Sequence, residues 1–388
     1  MKRAGRVIAY GILGLLTLFI VAALLSALSN LGLPQRSEVV ERLSGLQKAY
    51  LAEALHLRRE LGDAVWAGWG TAEIPFIVYN ETYAFLVNYA GEPPMGWRTV
   101  PAGEQQGNVW EVVSDDTFEG QAYYRSRLPA SGETPQAFTV RLDDVWAASL
   151  GTRESMRIAL VAGLREELPA PLDVVVPYRL VRQLLLGPGD QYVAALLHES
   201  FHAYQGLVAP ERLRAGEKAH RFAADYPAQE EDHVALWEEE LRLLREALRA
   251  ETDAEAMELA RQFLAHRERR RAGLDADLIL YEQHREWVEG LAKYTEMEIW
   301  RQAAVTPDYA PVAALADIEA FKDYETFERH WSQQVDQIAR MAGNEGDGRF
   351  YYSGMAQAYL LDRLAPGWKD ECMAGDAFLD ERLQRVLE

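Results

Sequence analysis

The sequence predicts an α+β protein carried behind an N-terminal membrane-spanning helix, and three successive textures along its 388 residues predict it. A long uncharged apolar stretch comes first. Short runs rich in Val, Tyr, Phe, Trp and Thr follow, and helical periodicity then continues almost to the C-terminus. A composition that is 49% hydrophobic and 26% charged belongs to a folded chain rather than a disordered one.

Lys2, Arg3 and Arg6 precede Val7 to Leu28, 22 residues without a charged side chain. At about 1.5 Å per residue they form a helix of roughly 33 Å, enough to cross a hydrocarbon core. A cleaved signal peptide is the competing reading, since Ala23, Ser26 and Ala27 are small enough for a signal peptidase. The apolar core of such a peptide usually runs only about 7–15 residues, however. The expectation is a cytoplasmic tail at 1–6 and a transmembrane anchor at 7–29. By the positive-inside rule, the protein is then a single-pass resident of the cell membrane with everything after Ser29 extracytoplasmic.

Within 36–66, "SEVVERLSGLQKAYLAEALHLRRELGDAV" repeats apolar residues every three or four positions and reads as a juxtamembrane helix, lifting the rest off the membrane or packing on it. Residues 70–182 form the β-rich part. There "IPFIVY", "YAFLVNY", "GWRTV", "NVWEVV", "QAYYRSRL" and "QAFTVRLD" are separated by "GEPPMG", "AGEQQGN" and "ASGETPQ", the spacing of an antiparallel sheet. "DVVVPYRLV" (173–181) reads as a further strand, whereas "RESMRIALVAGLREEL" (153–168) leans helical. From 183 to 388 the chain is mainly α-helical, with Asp190 as the N-cap of "QYVAALLHESFHAYQGL". Two charged amphipathic segments at 228–273 form a helical hairpin, and "ADLILYEQHREWVEGLAKYTEMEIW" (276–300) is a third long helix.

A net charge of −20 leaves nucleic acid without a basic face to bind, because the dense run "HRERRRAG" (266–273) reads as the solvated face of an acidic helix. The single cysteine, Cys372, excludes an internal disulfide framework and a multi-cysteine zinc site. Any metal must therefore be held by histidines and carboxylates.

"HESFH" (198–202) supplies such ligands. His198 and His202, four residues apart, share a helix face and can reach one Zn2+ ion. Glu199 lies beside them as the general base for a water whose pKa the ion lowers. The preceding apolar "YVAALL" suits a buried helix. A catalytic zinc needs a third protein ligand. The metzincin pattern fails, because Gln205 and Val208 stand where it requires Gly and His. A later carboxylate remains, and the helix at 276–300 offers Glu282, Glu286, Glu289, Glu296 and Glu298.

On that helix "WVEGLAKYTE" (287–296) resembles the E-G-x-A-x-Y-x-E segment of the M1-like, or peptidase MA, branch of the gluzincin metallopeptidases. The matching positions are Glu289, Gly290, Ala292, Tyr294 and Glu296; Tyr204 and Gly206 also match the aromatic and the glycine that come after that family's HExxH. The resemblance implies a zincin-type catalytic domain with Glu289 as third zinc ligand and Glu296 orienting a ligand from behind. It also implies an oxyanion donor from a Y-x-x-G segment, which "YYSGMAQAYLLDRL" (351–364) supplies as Tyr351, with Tyr352 the neighbouring candidate. His330 is a further donor without motif support. The matches cover about thirty residues in three short segments. Two departures matter: 86 residues separate His202 from Glu289, which makes the helices at about 210–274 an insertion, and the family's G-x-M-E-N segment for a free amino terminus is missing.

The resulting expectation is a membrane-anchored, extracytoplasmic zinc metallopeptidase acting on a peptide or protein substrate, with the edge of the upstream sheet available to an extended peptide. The alternative is a non-enzymatic binding or assembly protein on the same scaffold, with a protein partner at the 228–273 hairpin. A zinc hydrolase acting on a cell-wall or lipid component is a third reading.

Overall fold

The computed structural model describes residues 2–129, 134–135, 137–316, 318, 321–344 and 346–388, with the backbone alone for 2–9. Helix α1 (Lys2–Asn30) holds the uncharged stretch, and most of its large side chains from Tyr10 to Leu28 are exposed. Among the described residues it is the one helix long and apolar enough to cross a membrane.

Helix α2 (Gly45–Val65) begins later than the periodicity suggests, because the Ser44 side chain accepts the Gln47 N–H and caps it. It is a core element, with Tyr50, Leu51, Ala54 and Leu55 buried. Its buried Glu53 accepts hydrogen bonds from the Tyr309 and Tyr324 hydroxyls and from Val312 N, tying it to the far end of the chain.

The sheet has eight strands: β1 (Phe76–Tyr79), β2 (Tyr83–Val87), β3 (Trp97–Arg98), β4 (Gln105–Gln106), β5 (Glu111–Val112), β6 (Tyr124–Arg127), β7 (Phe138–Leu142) and β8 (Val145–Gly151). Their order is β4-β3-β7-β8-β1-β2-β6-β5. It is mixed rather than antiparallel, since β1 and β8 pair in parallel, with Phe76 opposite Ala148 and Val78 opposite Leu150. Alternation divides each central strand: Phe76 and Val78 face the main core, and Ile77 faces a second cluster with Trp97, Trp110 and Val140. Burial on both faces explains why β1 reads as a continuous apolar run. "AGEQQGN", expected as a break, contributes β4, and residues 130–133 and 136 of "ASGETPQ" lie outside the described residues.

After β8 come α3 (Arg153–Glu167), α4 (Leu172–Val175) and α5 (Tyr178–Leu186). The segment 173–181 is thus helical and not a strand. Pro177 removes a ladder donor from the valine run, and the Asn30 side-chain amide takes the Val174 and Val176 carbonyls at 2.8 Å each. Gly187, at φ +56, ends α5.

Helix α6 (Gly189–Val208) carries "HESFH". It starts before Asp190, so that residue sits inside the first turn, fully buried, and is not the N-cap. Helices α7 (Pro210–Ala219), α8 (Glu231–Arg249) and α9 (Asp253–Arg271) follow, the last two forming the expected hairpin. Helix α10 (Ala276–Arg285), a π turn (Glu286–Gly290) and α11 (Leu291–Val305) run on as one helix. The chain closes with α12 (Phe327–Ile338), α13 (Gly348–Leu364), α14 (Lys369–Cys372) and α15 (Leu379–Leu387).

The basic run in α9 is not a solvated face. Arg267 and Arg270 are each 2% exposed. Arg267 Nε donates to Glu240 at 2.8 Å and its Nη1 to Glu286 at 2.8 Å, Arg270 pairs with Glu240 and Glu282, and Arg271 pairs with Glu282 and Asp380. Spacing within α9 could not disclose this, because the four acidic partners come from α8, α10, the π turn and α15.

Candidate metal centre

Three packing contacts set the site. Helix α6 lies against β7 and β8 on one side and α11 on another. Gly206 permits the first approach, since a Cβ there would stand 2.4 Å from the Trp146 ring of β8, while Phe138 of β7 packs on the His202 ring at 4.2 Å. On the opposite side α13 crosses the π turn through two glycines. A Cβ on Gly290 would stand 2.4 Å from Gly354 Cα, so the two motif glycines hold Glu289 and Tyr351 beside α6 by touching each other. Tyr204, the other matched residue, serves packing: its hydroxyl donates to Ala67 O at 2.7 Å.

His198, His202 and Glu289 are all buried and form a group that could hold a metal ion. His198 Nε2 and His202 Nε2 are 3.2 Å apart, and Glu289 Oε2 is 3.3 Å from the latter and 3.5 Å from the former. Ligands at about 2.0–2.1 Å around a tetrahedral ion stand roughly 3.3–3.4 Å from one another, so these three atoms already have the spacing of three corners.

Each of the three is held from behind. Gln205 Nε2 donates to the Trp287 and Val288 carbonyls, which leaves its Oε1 to accept from His202 Nδ1 at 2.9 Å. His198 Nδ1 lies 3.3 Å from Glu296 Oε2, and Glu296 Oε1 takes Lys293 Nζ at 2.6 Å. Arg285 donates to Glu289 Oε1 at 2.7 Å and is itself held by Glu217 and Asp347. His202 Nδ1 is hydrogen-bonded to Gln205, His198 Nδ1 is near Glu296 without a hydrogen bond of good geometry, and the Nε2 atoms of both histidines turn toward the Glu289 oxygen. Three acceptors facing one another in a buried space repel unless a cation or a proton lies among them, and Glu289 Oε2 makes no hydrogen bond of good geometry. The residues therefore fit a metal ion.

The titration behaviour has the same origin. Burial alone would lower the His198 pKa, but the Glu289 and Glu296 carboxylates push it up to about 10. Burial lowers that of His202 despite Glu289. Against the pull of burial, His202 and Arg285 hold Glu289 well below the usual carboxylate range, and Lys293 and His198 hold Glu296 at about 2. Glu199 is pushed up to about 8, by burial first and by Glu289 and Glu296 after the opposing effect of His198. Its Oε2 is buried without a hydrogen-bond partner.

The two tyrosines separate. The Tyr351 ring stacks on His198 with centroids 5.6 Å apart and planes 8° from parallel, and burial and Glu289 raise its pKa well above 10. Tyr352 points away, donating to Gln334 at 2.7 Å. His330 is also off the centre, stacked on Trp300 with its Nδ1 3.3 Å from Gln191 Nε2. Sequence reasoning missed Gln205, Arg285 and Lys293 as holding residues. Each stands three or four positions along a helix from the group it holds, so helical spacing could have found them. No protein-family model, curated protein or solved structure matches the chain.

Proposed function

We propose that the protein is a membrane-anchored, zinc-dependent metallopeptidase of gluzincin type, hydrolysing peptide bonds on the extracytoplasmic side. The observation that carries this reading is the convergence of His198 Nε2, His202 Nε2 and Glu289 Oε2, with one Glu199 oxygen left without a hydrogen bond on the helix of the two histidines. Two imidazoles and one carboxylate are a hydrolytic zinc donor set with a position left open. When bound, zinc supplies Lewis acidity that brings water into reach of deprotonation near neutral pH. His198, His202 and Glu289 would hold the ion.

The chain's own groups then have distinct tasks. Glu199 accepts the proton of the attacking water and passes it to the leaving amine. Tyr351, whose ring stacks on His198 and whose hydroxyl interacts with Glu289, would donate that hydroxyl to the carbonyl oxygen as negative charge develops there. Gln205 behind His202 and Glu296 behind His198 would favour the tautomer that presents Nε2, and Arg285 holds one Glu289 oxygen so that the other turns inward. The orientation in the membrane follows Lys2, Arg3 and Arg6 ahead of the apolar stretch.

The test is the metal content of the purified full chain together with peptide-library cleavage by wild type and Glu199→Gln. About one zinc per chain in both proteins, with cleavage confined to wild type, is the expected result. Folded protein that takes up no zinc, or equal cleavage by Glu199→Gln, would overturn the proposal.

A further inference from the structure

The metal centre leaves one surface unexplained, the apolar side of α4 and α5. Leu172 and Val174 on α4 are exposed, as are Leu180, Leu184 and Leu185 on α5, with Leu184 72% and Leu185 61% open. Leu180 and Leu184 are one turn apart on a single face. Five large apolar side chains bared on fourteen residues exceed the scattered exposure normal for a soluble surface.

The patch is joined to the end of α1. The Asn30 side chain binds two carbonyls at the C-terminal end of α4, and Arg179 Nε donates to Ser29 O at 3.3 Å. Beneath it Leu33, Val161 and Tyr178 form a small buried cluster separate from the main core. Helices α3 to α5 are therefore fastened to the foot of the apolar helix.

Charge is a second, independent observation. In a chain of net charge −20, Arg157, Arg179 and Arg182 lie on these helices and form no salt bridge among the described residues. Arg157 has Arg182 and the buried Arg153 as neighbours, and the five arginines of α3 to α5 outnumber their four acids, Glu154, Glu166, Glu167 and Asp173. Guanidiniums beside bared leucines, at the base of a helix fit to cross a bilayer, match phosphate headgroups above acyl chains.

We propose that α4 and α5 form a membrane-embedded surface whose leucines enter the acyl boundary of an anionic bilayer while the arginines meet its headgroups. This rests on reading α1 as a membrane span. A cavity of about 230 Å3 is lined by Leu185 and Leu186 at one side and by Lys293, Glu296 and His330 at another. Glu296 is the residue behind His198, and Leu185 belongs to the bared patch. Immersing α5 sets the Leu185 rim of this cavity at headgroup level, behind His198 and on the side away from its Nε2 atom.

The experiment places a nitroxide on the full chain in phosphatidylethanolamine–phosphatidylglycerol vesicles at Leu13→Cys in α1, Leu184→Cys in α5 and, as aqueous control, Glu238→Cys in α8. The native Cys372 is buried and stays unlabelled. Positions 13, 184 and 238 are all exposed, so the labels disturb no packing, and an unchanged thermal unfolding transition confirms each fold. Collisions with oxygen and with a water-soluble nickel chelate are compared. The expected result is an oxygen-to-chelate ratio several-fold higher at 13 and 184 than at 238. A lipid-like ratio at 13 with an aqueous ratio at 184 overturns the inference and spares the membrane span. Aqueous ratios at both overturn the span and the inference with it. Shielding of 184 from both reagents means that a second protein copy covers the patch, which also overturns it. Replacing phosphatidylglycerol by phosphatidylcholine should lessen the protection at 184, and unchanged protection overturns the headgroup role of the arginines.

Discussion

Two buried clusters of charge lie along one helix and are finished in opposite ways. Where α9 meets α10 and the π turn, Arg267, Arg270 and Arg271 face Glu240, Glu282, Glu286 and Asp380, and nearly every polar atom has a partner within the chain, Arg271 Nη2 being the exception. Three residues beyond Glu286, Glu289 is satisfied on one oxygen and bare on the other, facing two imidazole nitrogens. Burying charge is costly in both places. The first cluster offsets the cost with ion pairs, whereas the second leaves its atoms directed at a common point. Completeness of pairing distinguishes a cluster that holds the fold from one built to take something from outside.

Substitution at the second cluster should abolish binding, and at the first should weaken folding. Glu289→Ala is expected to reduce metal content from about one ion per chain to none at concentrations that saturate the wild type. A chelator should lower the wild-type melting temperature and leave the variant's unmoved; retained metal in Glu289→Ala would break the contrast. Arg267→Ala strands Glu240 and Glu286 in the interior and should cost about 3–5 kcal/mol in denaturant unfolding while metal still binds in the folded fraction. Gln205→Leu removes the acceptor behind His202 and should weaken metal affinity about 10–100-fold, roughly 1.4–2.7 kcal/mol, measured by competition with a chromophoric chelator.

A third kind of buried charge sharpens the comparison further. Asp190 has neither an ion-pair partner nor a hydrogen bond of good geometry among the described residues, and burial pushes its pKa up to about 6 from 3.8. The folded state therefore holds this proton more tightly than the unfolded state, and stability falls as pH rises from about 4 to about 6, then levels off. Asp190→Asn should flatten that slope and stabilise the protein by about 1–3 kcal/mol at pH 7, read from paired unfolding curves across the range.

Local spacing made α6, the hairpin and the long helix at 276–300 legible, along with both histidines, because helical neighbours are fixed by the chain itself. The resemblance nominated Glu289, and the fold brings that residue to the histidines. What stayed hidden depends on distant partners. The parallel pairing of β1 with β8 joins segments about seventy residues apart, and the arginines of α9 look solvent-facing until four other elements arrive. The valines before Pro177 suggested a strand because propensity does not know that Asn30 waits for their carbonyls. Between Tyr351 and Tyr352 the Y-x-x-G resemblance preferred the first and kept the second as a neighbouring candidate, without a geometric choice. The crossing of Gly290 with Gly354 makes one, by rotating the first toward His198 and the second toward α12.

The π turn at Glu286–Gly290 acts as a phase shifter. A regular α-helix advances about 100° per residue, so the side chains before and after a wide turn are out of step with a single repeat. Here α10 can aim Glu282 at the arginines of the hairpin while α11 aims Glu296 at His198, two headings that one uninterrupted pitch would couple. Shortening this turn by a single residue would restore the regular pitch and swing Glu289 out of register with Glu296. The length of the segment, as much as its chemistry, is then under constraint.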